Sequence, residues 1–267
     1  MRSQFRDTVR RITKRLGIHR GARFIYNKVF LWHATRDARI DDLTCTFGVP
    51  SLTVADYVDT FTGEKKILSH FLGELRPGDI VWDVGAAFGV YTLFAARKLE
   101  GSGTVIAFEP EPRMRRLLER NCRLNNLANV LILPFALGEI DSTVLIYPSD
   151  TPNVGTSALV QRTDYRLKKR GTSTMMHRGS SLAARHSIPP PTILKVDVEG
   201  AEGNVLSGCA ELLRSPALRL LYCEVHPHLL PMFDTSEENL ERQIREAGFR
   251  IVGRHKRGTE FHLVCNR

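Results

Sequence analysis

The chain has 267 residues, 42% of them hydrophobic, enough for one sizeable core with an appendage and short for two full domains. No apolar run approaches the roughly 18 residues of a spanning helix, and none follows the basic start, so neither a membrane span nor a secretory signal is expected. The expected compartment is the cytoplasm. The net charge of +9 lies at one end: residues 1–36 hold ten Lys or Arg against the single acid Asp7, while the other 28 bases and 28 acids cancel.

In chain order, Phe5 to Leu16 reads as a basic helix and Ala22 to Ala34 as a second helix. Residues 1–59 are expected to form a basic appendage, with short strands at Leu43 to Phe47 and Ser51 to Asp56 around Gly48-Val49-Pro50. Phe24, Ile25, Phe30, Leu31 and Trp32 beside the bases of residues 1–36 would allow peripheral contact with an anionic membrane. A helix near Glu64 to Leu75 stops at Arg76-Pro77-Gly78. From Asp79, apolar strands alternate with helices: strand Ile80 to Val84, helix Val90 to Leu99, strand Thr104 to Phe108, helix Glu111 to Asn125 and strand Val130 to Leu133. That alternation predicts a parallel sheet with crossover helices, in a catalytic domain over 60–267.

Leu137 to Tyr147 adds one or two strands, and the polar stretch Pro148 to Ser187 reads as a long loop or lid. Order returns with strand Ile193 to Val196, a helix from Ala201, strand Leu218 to Glu224 and helix Ser236 to Ala247. Strands Arg250 to Val252 and Phe261 to Val264, joined by a basic turn from Gly253 to Thr259, then form an antiparallel hairpin. The five cysteines (Cys45, Cys122, Cys209, Cys223, Cys265) are never paired as C-x-x-C, so buried free thiols are expected and no structural metal.

The chemistry concentrates where strand Ile80 to Val84 runs through Asp83 into Gly85 and Gly89 and then a helix. A nucleoside cofactor at the carboxyl edge of a parallel sheet needs such a turn, with glycines where the backbone must come close. Asp83 can accept a hydrogen bond from a ligand ammonium, directly or through water. Position 87 is alanine, so the G-x-G-x-x-G fingerprint of dinucleotide enzymes is broken. Glu109, about 20 residues beyond the glycines, stands where an acid holds ribose hydroxyls and repels a ribose phosphate.

Five blocks in order resemble the FkbM family of S-adenosylmethionine-dependent methyltransferases, over about Thr60 to Gly253. They are Asp83-Val84-Gly85-Ala86 with Gly89-Val90-Tyr91-Thr92; Phe108-Glu109-Pro110; Ala136-Leu137-Gly138; Leu194 to Glu202, reading LKVDVEGAE; and Glu224-Val225-His226. The resemblance implies a Rossmann-like α/β fold with the seven-stranded methyltransferase sheet, mostly parallel with an antiparallel last strand. It implies S-adenosylmethionine contacts at Asp83, Gly85, Ala86, Gly89 and Glu109, with Phe135 and Ala136 beside the adenine, and O-methylation of a sugar, glycan or small metabolite. Two positions depart from the family: Ala87, often asparagine, and Ser181-Leu182, where Leu-Asp is common.

A hydroxyl acceptor has a high pKa and benefits from a nearby base. Asp197, Glu199, Glu202, Glu224 and His226 all fall at strand ends; Asp197 and Glu199 are expected to bound the acceptor pocket, with His226 or Glu199 taking the proton. Lys195, inside a strand, is expected to pack or pair with an acid, and His228 to be structural. Asp197, Glu199 and Glu224 could also hold magnesium, but such carboxylates are common in this fold without metal, and none is assigned. Two alternatives stay open: a nucleic-acid methyltransferase, disfavoured because the catalytic segment has no basic stripe, and a non-catalytic nucleotide-binding adaptor of the same fold.

Overall fold

A computed structural model describes residues 34–148, 157–159, 171–185 and 188–267. The two helices expected before Ala34, with their membrane-facing residues, lie outside the described residues.

The first described elements are β1 (Thr35–Ile40) and β2 (Leu43–Gly48), an antiparallel hairpin. Helices α1 (Leu52–Thr60) and α2 (Lys65–Gly73) follow. The expected strand at Ser51 to Asp56 is instead the start of α1, because the Ser51 hydroxyl accepts the Val54 N–H and caps the helix. Next come β3 (Ile80–Val84), α3 (Val90–Lys98), β4 (Thr104–Phe108), α4 (Pro112–Leu124) and β5 (Val130–Leu133), close to their expected bounds.

Then β6 (Ala136–Leu137), β7 (Ser142–Pro148), β8 (Ser157–Leu159) and β9 (Thr172–His177) form a small sheet in the order β6-β9-β7-β8, followed by α5 (Gly179–Arg185). The stretch read as a long loop or lid thus carries two strands and a helix. Strand β9 escapes a periodicity reading because Thr172, Ser173 and Met175 are exposed and only Met176 is buried, so no alternation shows. The chain ends with β10 (Ile193–Val196), α6 (Glu202–Gly208), α7 (Ala210–Arg214), β11 (Leu220–Val225), α8 (Glu237–Glu246), β12 (Arg250–Arg257) and β13 (Glu260–Asn266).

The seven-stranded sheet runs β5-β4-β3-β10-β11-β13-β12, with β13 antiparallel to both neighbours and the pairs from β5 through β11 parallel. Basic residues Arg254 to Arg257, expected in a turn, belong to β12, and the turn is confined to Gly258-Thr259. Charge on this edge strand guards it against pairing with another chain.

Alternate strand residues feed two cores. Val81, Val105, Ala107, Ile193 and Tyr222 face α1 to α4, whereas Trp82, Ile106, Phe108, Leu194 and Leu221 face α5 to α8. Helix α3 is apolar all round, with Val90 to Ala96 buried throughout, so it needs cover on its outer side as well. The β1-β2 hairpin provides it: Ile40, Cys45 and Phe47 are in the same core as Leu93 and Phe94. Val54 and Val58 of α1 share this core with Phe61 and Ile67.

Buried Asn121 fixes that cover. Its Oδ1 accepts the Gly48 N–H at 2.8 Å and its Nδ2 donates to the Phe88 carbonyl at 2.8 Å, linking hairpin, α4 and glycine turn. Asn121→Ala would orphan two buried backbone groups and is expected to cost about 2–4 kcal/mol. Urea denaturation checks this; a loss below about 1 kcal/mol would contradict the assigned role.

Candidate active site

The carboxyl ends of β3, β4 and β10 open onto a cleft that is partly open to solvent. Gly85, Phe108, Glu109 and Pro110 form one wall, Phe135, Ala136 and Ile146 another, and Asp197, Val198 and Glu199 the third. Four of the expected cofactor residues, Gly85, Glu109, Phe135 and Ala136, therefore line the cleft. Asp83, Ala86 and Gly89 lie behind it and shape it.

Gly85 has φ +80°, and a Cβ there would stand 1.8 Å from the Asp197 carbonyl oxygen. The sequence suggested that glycine makes room for a ligand; in the structure the room is filled by β10's own end. Gly89, φ +98°, lets α3 start against Leu118 of α4. Both Gly85 and Ala86 turn their N–H groups to the Phe108 carbonyl at 3.1 Å, so the turn does not present these donors to a phosphate.

Asp83 is completely buried. One carboxylate oxygen accepts from the Thr92 hydroxyl at 2.6 Å and the other meets the Lys195 ammonium at 3.1 Å. Lys195 also lies 3.4 Å from Asp197 and from the Gly85 carbonyl, with the Tyr91 ring beneath it. Burial alone would lower its pKa, but Asp83 and Asp197 raise it, so it remains charged. The expectation that Lys195 pairs with an acid holds, and Thr92 enters the site unannounced.

Glu109 is almost buried and accepts the N–H groups of Ala87 and Glu111, each at 2.7 Å, one on each oxygen. Each oxygen keeps capacity for a hydroxyl donor. Burial pushes this carboxyl up to about 7 against the pull of the two N–H bonds. Ala87, at the departure from the family pattern, has φ +50°, a left-handed conformation that asparagine tolerates better than alanine.

Behind Asp197 and Glu199, His226 is 1% exposed. Its Nδ1 lies 2.6 Å from buried Glu202, which also accepts the Gly200 N–H at 3.0 Å. Its Nε2 points between Asp197 and Glu199, 3.9 and 3.8 Å away. Burial would lower the imidazole pKa, but the Glu202 hydrogen bond and the charges of Asp197, Glu202 and Glu199 raise it to about 10. Burial raises Glu199 to about 7 and also raises Asp197.

Glu199 itself sits at φ +55°, a strained conformation of the kind that gathers at functional sites. Glu224 pairs with Arg257 and His262, also comes within 4.8 Å of His226, and is held well below the usual carboxylate range despite burial. It does not join Asp197 and Glu199 as a third ligand, which separates it from the magnesium set weighed above. His228, expected to be structural, is exposed.

The residues fit S-adenosylmethionine better than a dinucleotide. Among the described lining residues three are acids and none is Lys, Arg or His, which suits a positively charged sulfur and amino group and opposes phosphates.

The sequence profile of the methyltransferase FkbM domain matches residues 83–251. The 31-O-demethyl-FK506 methyltransferase FkbM of Streptomyces tacrolimicus is 31% identical over 242 residues, covering 79% of this chain and 88% of that protein. The hexuronic acid methyltransferase AglP of Haloferax volcanii is 27% identical over 228 residues, covering 82% and 88%. In fold, the chain resembles the crystal structure of methyltransferase FkbM from Methylobacillus flagellatus KT, with a TM-score of 0.50 and 16% identity over 73% of this chain and 45% of that one. The chain belongs to the FkbM family of S-adenosylmethionine-dependent methyltransferases.

Two outcomes are expected. Gly85→Ala combines a left-handed backbone with a clash against β10 and should destabilise the fold by about 2–5 kcal/mol in urea denaturation; a change within about 1 kcal/mol would contradict the close approach. Ribose hydroxyls donate, so they favour ionised Glu109. Affinity for S-adenosylhomocysteine should therefore fall as pH drops through about 7, and Glu109→Gln should flatten that dependence in calorimetric titration.

Proposed function

We propose that this FkbM-family enzyme methylates a hydroxyl oxygen on a sugar, glycan or small metabolite. The observation that carries the reading is that Asp197 and Glu199 share the cleft with Glu109 while buried His226 stands behind them, at the ends of β10 and β11. Relatives give the same direction in part: one is named a 31-O-demethyl-FK506 methyltransferase and another a hexuronic acid methyltransferase.

S-adenosylmethionine, when bound, supplies a methyl group on a positively charged sulfur, so the protein need not activate the donor. What this chain must do is hold an acceptor in line, exclude water and receive a proton. Phe108, Pro110 and Phe135 give the cleft apolar faces for a flat base, and Glu109 offers acceptors for a ribose. Glu199 Oε2 and Asp197 Oδ1, flanking the imidazole Nε2, are the acceptors nearest the opposite wall. Glu202 holds both the imidazole and the Gly200 turn in register, so the three groups act from fixed positions.

The test is methyl transfer from labelled S-adenosylmethionine to a panel of neutral sugars, uronic acids and hydroxylated metabolites. The expected product is an ether that survives mild alkaline hydrolysis; a label released by alkali would mark a methyl ester and overturn the hydroxyl assignment. Glu199→Gln and His226→Asn should each lower turnover by about 10²–10⁴-fold with S-adenosylhomocysteine affinity unchanged. Turnover at the wild-type rate in both would remove them from the chemistry.

A further inference from the structure

We propose that Asp197, Glu199 and His226 form a binding site for a first-row divalent cation of the manganese type. The nearest atoms of the three side chains lie within 4.8 Å of one another. His226 Nε2 stands 3.8 and 3.9 Å from the two carboxylates. A point equidistant from the three atoms is then at most about 2.5 Å from each, against about 2.0–2.2 Å for bonds to imidazole nitrogen and carboxylate oxygen. Small side-chain rotations close that gap.

The imidazole supplies an observation independent of the acids. It is 1% exposed, and its Nε2 is aimed between Asp197 and Glu199, in ion-pair range of both at 3.9 and 3.8 Å but too far for a hydrogen bond to either. Its other nitrogen is fixed by Glu202, itself fully buried. A carboxylate behind a histidine is the outer-shell arrangement that sets ring orientation and raises ligand basicity at metal sites.

Charge argues the same way. Three carboxylates surround one imidazole, and the nearest fixed cation, Lys195, is shared with Asp83. The spot therefore demands positive charge, which a proton on His226 meets in part and a divalent ion meets more fully. Two carboxylate oxygens with one imidazole nitrogen favour manganese, cobalt or zinc over magnesium or calcium, which prefer oxygen alone. The two neighbouring sets, Glu64–Glu224–His262 and Glu224–His226–Glu260, are weaker candidates, because Arg257 already occupies their carboxylates.

Asp197 and Glu199 line the cleft, so an ion there has its free positions toward the acceptor. It would draw charge from a bound hydroxyl oxygen and ease loss of its proton. That role rests on the hydroxyl-acceptor reading; the site does not.

The test uses the full chain, stripped with a chelator and dialysed, titrated with manganese alone while the paramagnetic signal of the free ion is followed. Saturable binding of one ion per chain is expected, at least tenfold tighter than magnesium in competition. His226→Gln and Glu199→Gln should weaken it at least tenfold, and Glu202→Gln about 10–100-fold. The exposed Glu238→Gln should leave it unchanged. Circular dichroism establishes that each variant is folded. Absence of saturable binding by folded wild type, or undiminished binding by folded His226→Gln, would overturn the site. Because the readout needs neither cofactor nor acceptor, a wrong acceptor class would leave it untouched.

Discussion

The buried ammonium of Lys195 joins the two halves of the cleft. It sits between Asp83 of the strand leading into the glycine turn and Asp197 at the end of the neighbouring strand, and it also approaches the Gly85 carbonyl. The fully buried Asp83 carboxylate without that cation would be strongly unfavourable, and removing one partner of a buried pair commonly costs about 3–5 kcal/mol. Beside it, the β3–β10 pairing carries the Asp197 backbone so close to Gly85 that only glycine fits. Cofactor turn and acceptor wall are thereby one rigid unit.

Around that unit, backbone strain lies on both sides of the cleft. Ala87 keeps a left-handed conformation while donating its N–H to Glu109, and Glu199 keeps one beside Gly200, whose N–H is taken by Glu202. In each case a buried carboxylate holds the turn, and that carboxylate belongs to the site. Rigid packing behind these turns comes from two cores and from the hairpin that covers α3. The site thus rests on strand ends and capped turns, which position side chains more closely than free loops do.

Much of this was legible in the sequence because the parallel strands are buried on both faces and read as short apolar runs between amphipathic helices. The acids and glycines at their ends stood out for the same reason. The β1-β2 hairpin was harder: Thr35 to Ile40 buries only Ala38 and Ile40, so half its pattern is polar. Ser51 to Asp56 misled because a cap serine after proline weighed less than the β-branched residues around it. Within the site, pairings hidden from periodicity decided the roles. No spacing rule says that Asp83 spends its carboxylate on Thr92 and Lys195, or that Glu224 faces Arg257 while Glu202 faces His226.

The most direct measurement is a crystal structure of the chain grown with S-adenosylhomocysteine at saturating concentration. The account predicts the ligand in the cleft between Glu109, Phe135 and Asp197, with ribose hydroxyls on the Glu109 carboxylate. Ligand bound elsewhere on the molecule, or a cleft open to solvent and empty at saturation, would contradict it.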